Sequence, residues 1–380
     1  MGRSARLSAA VLLSLWSLAA TADYMFKPAL SLADPTRSGL LDIARCGERW
    51  VAAGERGLIL LSDDAGTSWR QVASPVSQLL TSISCPAPGR IYVAGHGGVI
   101  LGSQDAGDSW SLLFDGNEAN AQWLAYARSE LSRLEQALEA AEEATGDEAH
   151  ADLVDDITFA LEDAEFRVED AVAAVDNGPV DPFLDIFFID QQSGIAVGAY
   201  GMLYRTSDGG QSWQIGVAGI DNPDRFHYYG VARSAAGDLF LCGEAGLLYR
   251  SRDDGVSWQR LEAGYDGTLF GVVPEMDGSV LVFGLRGHIF SSADAGDTWS
   301  PTEVRDDPQL SLYGGGRLED GSVVLVGAGG AVLYKQAGGD AFEPGSMPGR
   351  STLASVAGAG RDNALVVGLG GIAPLKEAIE

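Results

Sequence analysis

Five aspartates recur in one setting. Asp64, Asp105, Asp208, Asp253 and Asp294 each stand two residues after a Ser or Thr, two before a Gly and five before a Trp. Carboxylates in such numbers could supply the acid and base pair of glycoside hydrolysis. A catalytic group is needed once, however, and these return once per unit, which marks them as turn staples. An Asp in a tight turn accepts backbone N–H groups two or three residues on. The Gly of each copy (Gly66, Gly107, Gly210, Gly255, Gly296) supplies a positive φ. The Trp (Trp69, Trp110, Trp213, Trp258, Trp299) lays an apolar face over a neighbouring sheet, its N–H free for a partner. Other chemistry is thinner. His96, His150, His227 and His288 stand far apart and form no metal-ligand motif. No nucleophile elbow or phosphate loop is present. No metal or cofactor is expected.

The staples belong to a longer repeat. Residues 243–258 read GEAGLLYRSRDDGVSW, and the same phrase opens at Gly54, Gly95, Gly198 and Gly284, with a worn copy from Gly327 to Phe342. In all six, the first Gly and the closing aromatic are fifteen positions apart. Upstream of each G-x-x-G lie two further apolar runs, such as residues 269–272 and 280–283. With the strand after G-x-x-G and the one after Trp, each unit of about 41 to 45 residues supplies four strands, the pattern of a propeller blade. G-x-x-G pairs at Gly54, Gly95, Gly198, Gly243, Gly284, Gly327 and Gly368 predict seven blades. The seventh unit runs short of a fourth strand. Residues 24–29 are expected to supply it by pairing with blade seven, covering an exposed edge.

One interval is too long. Trp110 to Trp213 spans 103 residues, and the surplus is rich in Ala, Glu and Leu. Leu124, Ala127, Leu131, Leu134, Leu138 and Ala141 follow the 3-4 alternation of a coiled-coil seam, as do Leu153, Ile157, Ala160, Ala164, Val168, Ala171 and Val175. Residues 145–147 separate the runs, and 177–179 stop the second. The pattern predicts an antiparallel helical hairpin over residues 115–182, with arms about 40 Å long. Between residues 115 and 181, 19 Asp or Glu face three Arg. That excess is more than half of the chain's net charge of −28. A long ordered hairpin that closes no blade costs entropy, which favours a contact with a partner. The acidic balance argues against nucleic acid as that partner.

The fold expected is therefore all-β: a single seven-bladed β-propeller over residues 23–114 and 183–380, with an acidic helical hairpin inserted between blades two and three. Residues 1–22 read as an export signal, with Arg3 and Arg6 before an apolar run and Ala20-Thr21-Ala22 as the cleavage site. The run is too short for a comfortable membrane span. The mature chain is expected in the periplasm or outside the cell. Cys46 and Cys85 fall at nearly matching positions of blades one and two, so a disulfide is open to them there. Two buried free thiols is the reading favoured, and Cys242 is read as core.

The stapled turn resembles the Asp box, or bacterial neuraminidase repeat, of several propeller families. Sialidases among them hold substrate with an arginine triad whose first member sits in an R-I-P-like motif. The nearest match is Arg90-Ile91-Tyr92, inside a strand approach. A carbohydrate-active propeller is thus the alternative rather than the main expectation. Outside the hairpin, the chain resembles the photosystem II stability and assembly factor family. FLDIFFIDQQSGIAVGAYGMLYRTSDGGQSW and LYGGGRLEDGSVVLVGAGGAVLYKQAGG carry that resemblance. It implies a seven-bladed, non-catalytic propeller that acts as an exported chaperone for a membrane-protein intermediate. Photosynthetic members use an arginine-rich patch, whereas this chain is acidic and adds the hairpin. Both departures favour another envelope protein as client, such as a transporter of the resistance-nodulation-division type.

The working face is expected where the hairpin rises, on the side of the G-x-x-G turns. Those turns and the connections beside them carry varied side chains: Glu55, Arg56, His96, Tyr200, Arg225, His227, Glu244 and Arg286, with Asp224 and Tyr265 nearby.

Overall fold

Short apolar runs broken by Gly- and Asp-bearing turns form seven antiparallel sheets. Six have four strands and the seventh has three, each in chain order. This arrangement is seen in a computed structural model that describes residues 27–144, 148–305 and 309–378. The export-signal segment, residues 24–26 and residues 145–147 lie outside the described residues. The first strands of the sheets are Leu40–Cys46, Leu80–Ala87, Phe183–Phe188, Tyr228–Arg233, Leu269–Pro274, Leu312–Arg317 and Leu353–Gly358. Each touches the first strand of the next sheet, and the last touches the first. The seven sheets are the blades of a propeller, and these strands line its central channel.

The core lies between blades rather than within them. Seven apolar clusters fill the seven blade interfaces, as when Val51, Ile59 and Leu61 of blade one pack on Ile83, Ile91 and Val93 of blade two. The repeat's closing aromatic enters the interface with the preceding blade. Trp110 joins the cluster of blades one and two, Trp213 that of two and three, and Phe342 that of five and six. The staple works as its residue types suggest. Asp253 accepts hydrogen bonds from Ser251 Oγ, Ser257 N and Ser257 Oγ at 2.6–2.9 Å, and Ser251 Oγ accepts from Gly255 N. The other four copies have the same pattern. Those bonds stabilise the ionised form and hold the Asp64, Asp105, Asp253 and Asp294 carboxyls down at about 2. The indole N–H of Trp69, Trp110 and Trp299 donates to the carbonyl of the staple's own Gly.

The first Gly of G-x-x-G has a different reason from the one in the staple. At Gly198 the backbone is fully extended, yet a Cβ there would lie 2.2 Å from the Pro182 carbonyl oxygen. Its counterparts Gly54, Gly95, Gly243, Gly284, Gly327 and Gly368 meet a backbone carbonyl in the same way. The third position of G-x-x-G is left-handed, and Arg56, Tyr200 and Arg286 hold it at φ 52–58°.

Of the segment expected to close the ring, residues 24–26 lie outside the described residues, and the described remainder does not pair with blade seven. Among the described residues the seventh sheet has three strands, Leu353–Gly358, Ala364–Gly368 and Gly371–Pro374. The chain's start lies along blade one, and Pro35–Arg37 then passes against the third strand of blade seven. Ala29 N–H donates to Ser74 O, Leu32 N–H to Gln71 Oε1, and Gln71 Nε2 donates to Leu30 O. Blade one's outer strand is two residues long, Arg70–Gln71, and its free edge and amide side chain satisfy this segment locally. Blade seven is capped by its own continuation, Leu375–Ala378, whose Leu375 and Ala378 are buried. Side-by-side packing joins the two ends of the ring, with Leu365 and Val367 of blade seven set among Leu40, Ile43, Trp50 and Leu60 of blade one.

Two carboxylates clasp neighbouring blades at the channel. Each first strand carries a β-bulge near its start, and the residues following it are Asp42, Ser82, Asp185, Gly230, Gly271, Gly314 and Ser355. Asp42 accepts from Ser355 Oγ of blade seven at 2.6 Å and from Ile83 N of blade two at 2.7 Å. Asp185 accepts from Ser82 Oγ of blade two and Val231 N of blade four. Both border a cavity of about 440 Å³. Burial pushes the Asp42 carboxyl up to about 7 and raises that of Asp185, more than their hydrogen bonds lower them. Cys46 and Cys85 are disulfide-bonded, their Cα atoms 5.5 Å apart, so the free-thiol expectation is corrected. Adjacent first strands bring matching positions within bonding reach. Cys242 is free and buried.

Candidate interaction site at the foot of the hairpin

The hairpin consists of α1 (Gly116–Glu143) and α2 (Glu148–Asn177). Asp115 caps α1 by accepting from Asn117 N and Glu118 N. Two glycines set its root on blade two. A Cβ on Gly98 would lie 2.7 Å from Gly116 Cα, and one on Gly116 would lie 2.5 Å from Gly97 O. The next turn of α1 is sewn to blade three. Tyr204 Oη donates to Ala119 O, Gln122 Nε2 donates to Trp213 O, and Gln122 Oε1 accepts from Ile215 N. Asn120 Nδ2 donates across to Ala174 O of α2. The foot is thereby fixed by side chains with locked partners. It stands over the G-x-x-G turns of blades two and three.

The loop between blades three and four locks onto it. Arg225 lies over the Trp123 ring, 4.7 Å from its centroid. Its Nη1 is 2.9 Å from Asp170 Oδ2 of α2, and its Nε donates to Tyr200 O at 3.4 Å. Arg167 of α2 pairs with Asp163 and donates to Pro223 O. Between hairpin and propeller runs a groove of about 380 Å³, lined by Trp123, Val180, Asp181, Tyr200, Met202 and Arg225. A second hollow of about 210 Å³, lined by Tyr126, Arg167 and Asn222, shares Trp123, Tyr200 and Arg225 with it. Val180 is 73% exposed and Tyr200 49%, large apolar areas held open to solvent. The Trp123 indole N–H is buried without a hydrogen-bond partner. Partial burial raises the Asp181 carboxyl above its ordinary range. The arrangement has aromatic walls, a fixed guanidinium and a spare donor. It suits gripping a chain segment.

Of the eight residues expected on the working face, four meet here. The Tyr200 and His227 rings are 4.8 Å apart, and His227 Nδ1 lies 2.9 Å from Glu244 Oε2. Arg225 completes the group. The others are dispersed over the turns of other blades. Glu55 Oε1 accepts from Gly39 N beside Arg56 in blade one, and Arg286 N–H donates to Ser311 Oγ in blade five. His96, in blade two, is partly buried, which lowers its imidazole. Tyr265 donates to Leu285 O, away from the groove. Sequence reasoning missed Trp123, Tyr126 and Asp170. The available signal was two aromatic residues lying off the seam of α1, close to its root.

Comparison with known proteins agrees with the architecture. Residues 172–347 match a family model described as photosynthesis system II assembly factor YCF48. A structure of YCF48 bound to a D1 peptide is 16% identical with a TM-score of 0.59, covering 92% of this chain and 96% of that one. YCF48 from Cyanidioschyzon merolae is 15% identical with a TM-score of 0.56, covering 92% and 97%. The WD40 propeller domain of Doa1 is also similar, at 11% identity and a TM-score of 0.55, covering 92% and 95%. No curated protein matches the sequence. No helix among the described residues is long and apolar enough to cross a membrane. The chain is a β-propeller similar to the photosystem II assembly factors of the YCF48 type, with a helical pair inserted between its second and third blades.

Proposed function

We propose that this chain is an exported, non-catalytic scaffold that holds a segment of an envelope membrane protein, such as a transporter, while its complex assembles. The observation that carries the reading is the groove at the hairpin foot. Trp123, Tyr200 and Arg225 converge there from three separate parts of the chain, and apolar area is left open beside a guanidinium and an unpartnered indole N–H. Aromatic and arginine side chains fixed in this way are the usual anchors of protein interfaces. The five repeat aspartates take their hydrogen bonds from their own turns, which supports a structural part for them. The similarity to a YCF48 that binds a D1 peptide supports a membrane-protein segment as the bound species.

The test is co-purification from a solubilised membrane fraction. Tyr200→Gly suits its left-handed position, already occupied by Gly97 and Gly329 in equivalent turns. Combined with Trp123→Ala, it should leave the propeller folded by circular dichroism and abolish recovery of the membrane partner. A variant lacking residues 118–176, bridged by Gly and Ser, should do the same. Full recovery with both variants would refute the assignment of the groove.

A further inference from the structure

The outward face of α2 carries a second heptad stripe. Residues 152, 155, 159, 162, 166, 169 and 173 follow the same 3-4 alternation as the buried seam but point away from α1. On this stripe stand Asp152, Asp155, Phe159, Glu162, Phe166, Glu169 and Ala173, and all seven are exposed. Phe159 is 75% exposed and Phe166 70%. They are one heptad apart, about 10 Å along the helix. Asp163 and Asp170 at the stripe's edge are paired with Arg167 and Arg225. Among the described residues Asp152, Asp155, Glu162 and Glu169 have no cation beside them. The hairpin core needs neither phenylalanine, since Ala164 and Ala171 face α1.

We propose that this stripe is a docking surface for a basic amphipathic helix of a protein partner, packed against α2 with its apolar side chains on Phe159 and Phe166. The proposal deepens the scaffold reading by giving the chemistry of a partner segment, and its anchors Phe159 and Phe166 lie outside the groove. Heptad spacing suits a helix, because side chains three and four apart on a partner reach the same line. Charge selects its sign. Four unpaired carboxylates within about 26 Å of helix attract lysine and arginine flanking an apolar stripe. A second copy of the chain would bring those carboxylates against themselves across a two-fold axis. Anionic lipid would be repelled likewise.

The experiment uses the full mature chain and a labelled 21-residue synthetic helix of leucine and lysine, with leucine at heptad-spaced positions. A scrambled peptide of the same composition is the control. Fluorescence anisotropy should show saturable one-to-one binding that weakens as salt rises. Phe159→Ser with Phe166→Ser should weaken it at least tenfold while circular dichroism and the melting midpoint stay unchanged. The scrambled peptide should bind at least tenfold more weakly, and Tyr200→Gly should leave binding intact. Equal binding by the double variant or by the scrambled peptide, or no binding at all, overturns the proposal. A dimer in sedimentation velocity that disappears in the double variant would overturn it too, giving the surface to a second copy. Loss of client recovery by the combined Trp123→Ala and Tyr200→Gly variant, with peptide binding retained, separates the two readings.

Discussion

Replacing Asp42 with Asn should change the way the propeller's stability depends on pH. In the ring the Asp42 carboxyl keeps its proton up to about pH 7, whereas in the unfolded chain it loses it near 3.8. Between those values the unfolded chain has released a proton that the folded ring still holds, so stability falls as pH rises and levels off above 7. At about 1.4 kcal/mol per pH unit, the full effect would be about 4–5 kcal/mol. The side chain borders the channel, and screening from that side brings the expected loss to about 2–4 kcal/mol. The Asn variant has no proton to lose there. It also has one acceptor oxygen where Asp42 uses two for Ile43 N and Ile83 N. One of those N–H groups faces an amide donor, at a cost of about 1–3 kcal/mol that does not change with pH. Urea unfolding from pH 4 to 8.5 should show wild type ahead at low pH and the gap narrowing by about 2–4 kcal/mol toward pH 8. Parallel profiles would refute the reasoning, because the clasp would then be ionised in the ring.

Other outcomes follow from the packing. Gly198→Ala should cost about 2–3 kcal/mol in urea unfolding, because its Cβ would meet the Pro182 carbonyl and nothing there is flexible. Lys335→Met leaves Glu275 without the cation 2.7 Å away, and both side chains are nearly buried, so about 3 kcal/mol should be lost. Asp253→Ala should cost about 1–2 kcal/mol with client recovery unchanged. Since that carboxyl is held down at about 2, its contribution is present above pH 4 and disappears as pH falls toward 2, the opposite sense to Asp42.

The blades were legible in the sequence because a staple must be rebuilt in each of them. Ser251, Asp253, Gly255 and Trp258 return at fixed spacing, and the spacing locates the strands on either side. The hairpin was legible for a related reason, since two apolar seams at heptad spacing have one economical way to be buried. What escaped notice depends on single residues in three dimensions. The first Gly of each turn is dictated by a carbonyl some sixteen positions earlier in the chain, a closeness that local pattern does not reveal. The closing arrangement turns on the Gln71 side chain, whose amide gives the chain's start a partner on blade one. Asp42 and Asp185 look like two more acids in an acidic chain. They stand out only when the post-bulge position is compared across all seven blades and the others prove to be Ser or Gly. Trp123 was hidden beside the seam, where a helical pattern gives an aromatic residue no special meaning.

Among the described residues, every sheet of the ring is made from one continuous stretch of chain. A ring fastened by a strand from the opposite terminus would leave that strand unpaired throughout synthesis, its edge available to other molecules. Here nothing waits. As the polypeptide emerges from its N-terminal end, each blade can fold on completion and offer its flank to the next. Leu365 and Val367, near the end of the chain, then meet a first blade already formed. The order of assembly is therefore written into the order of the blades, and among the described residues the ring closes by a docking of finished surfaces.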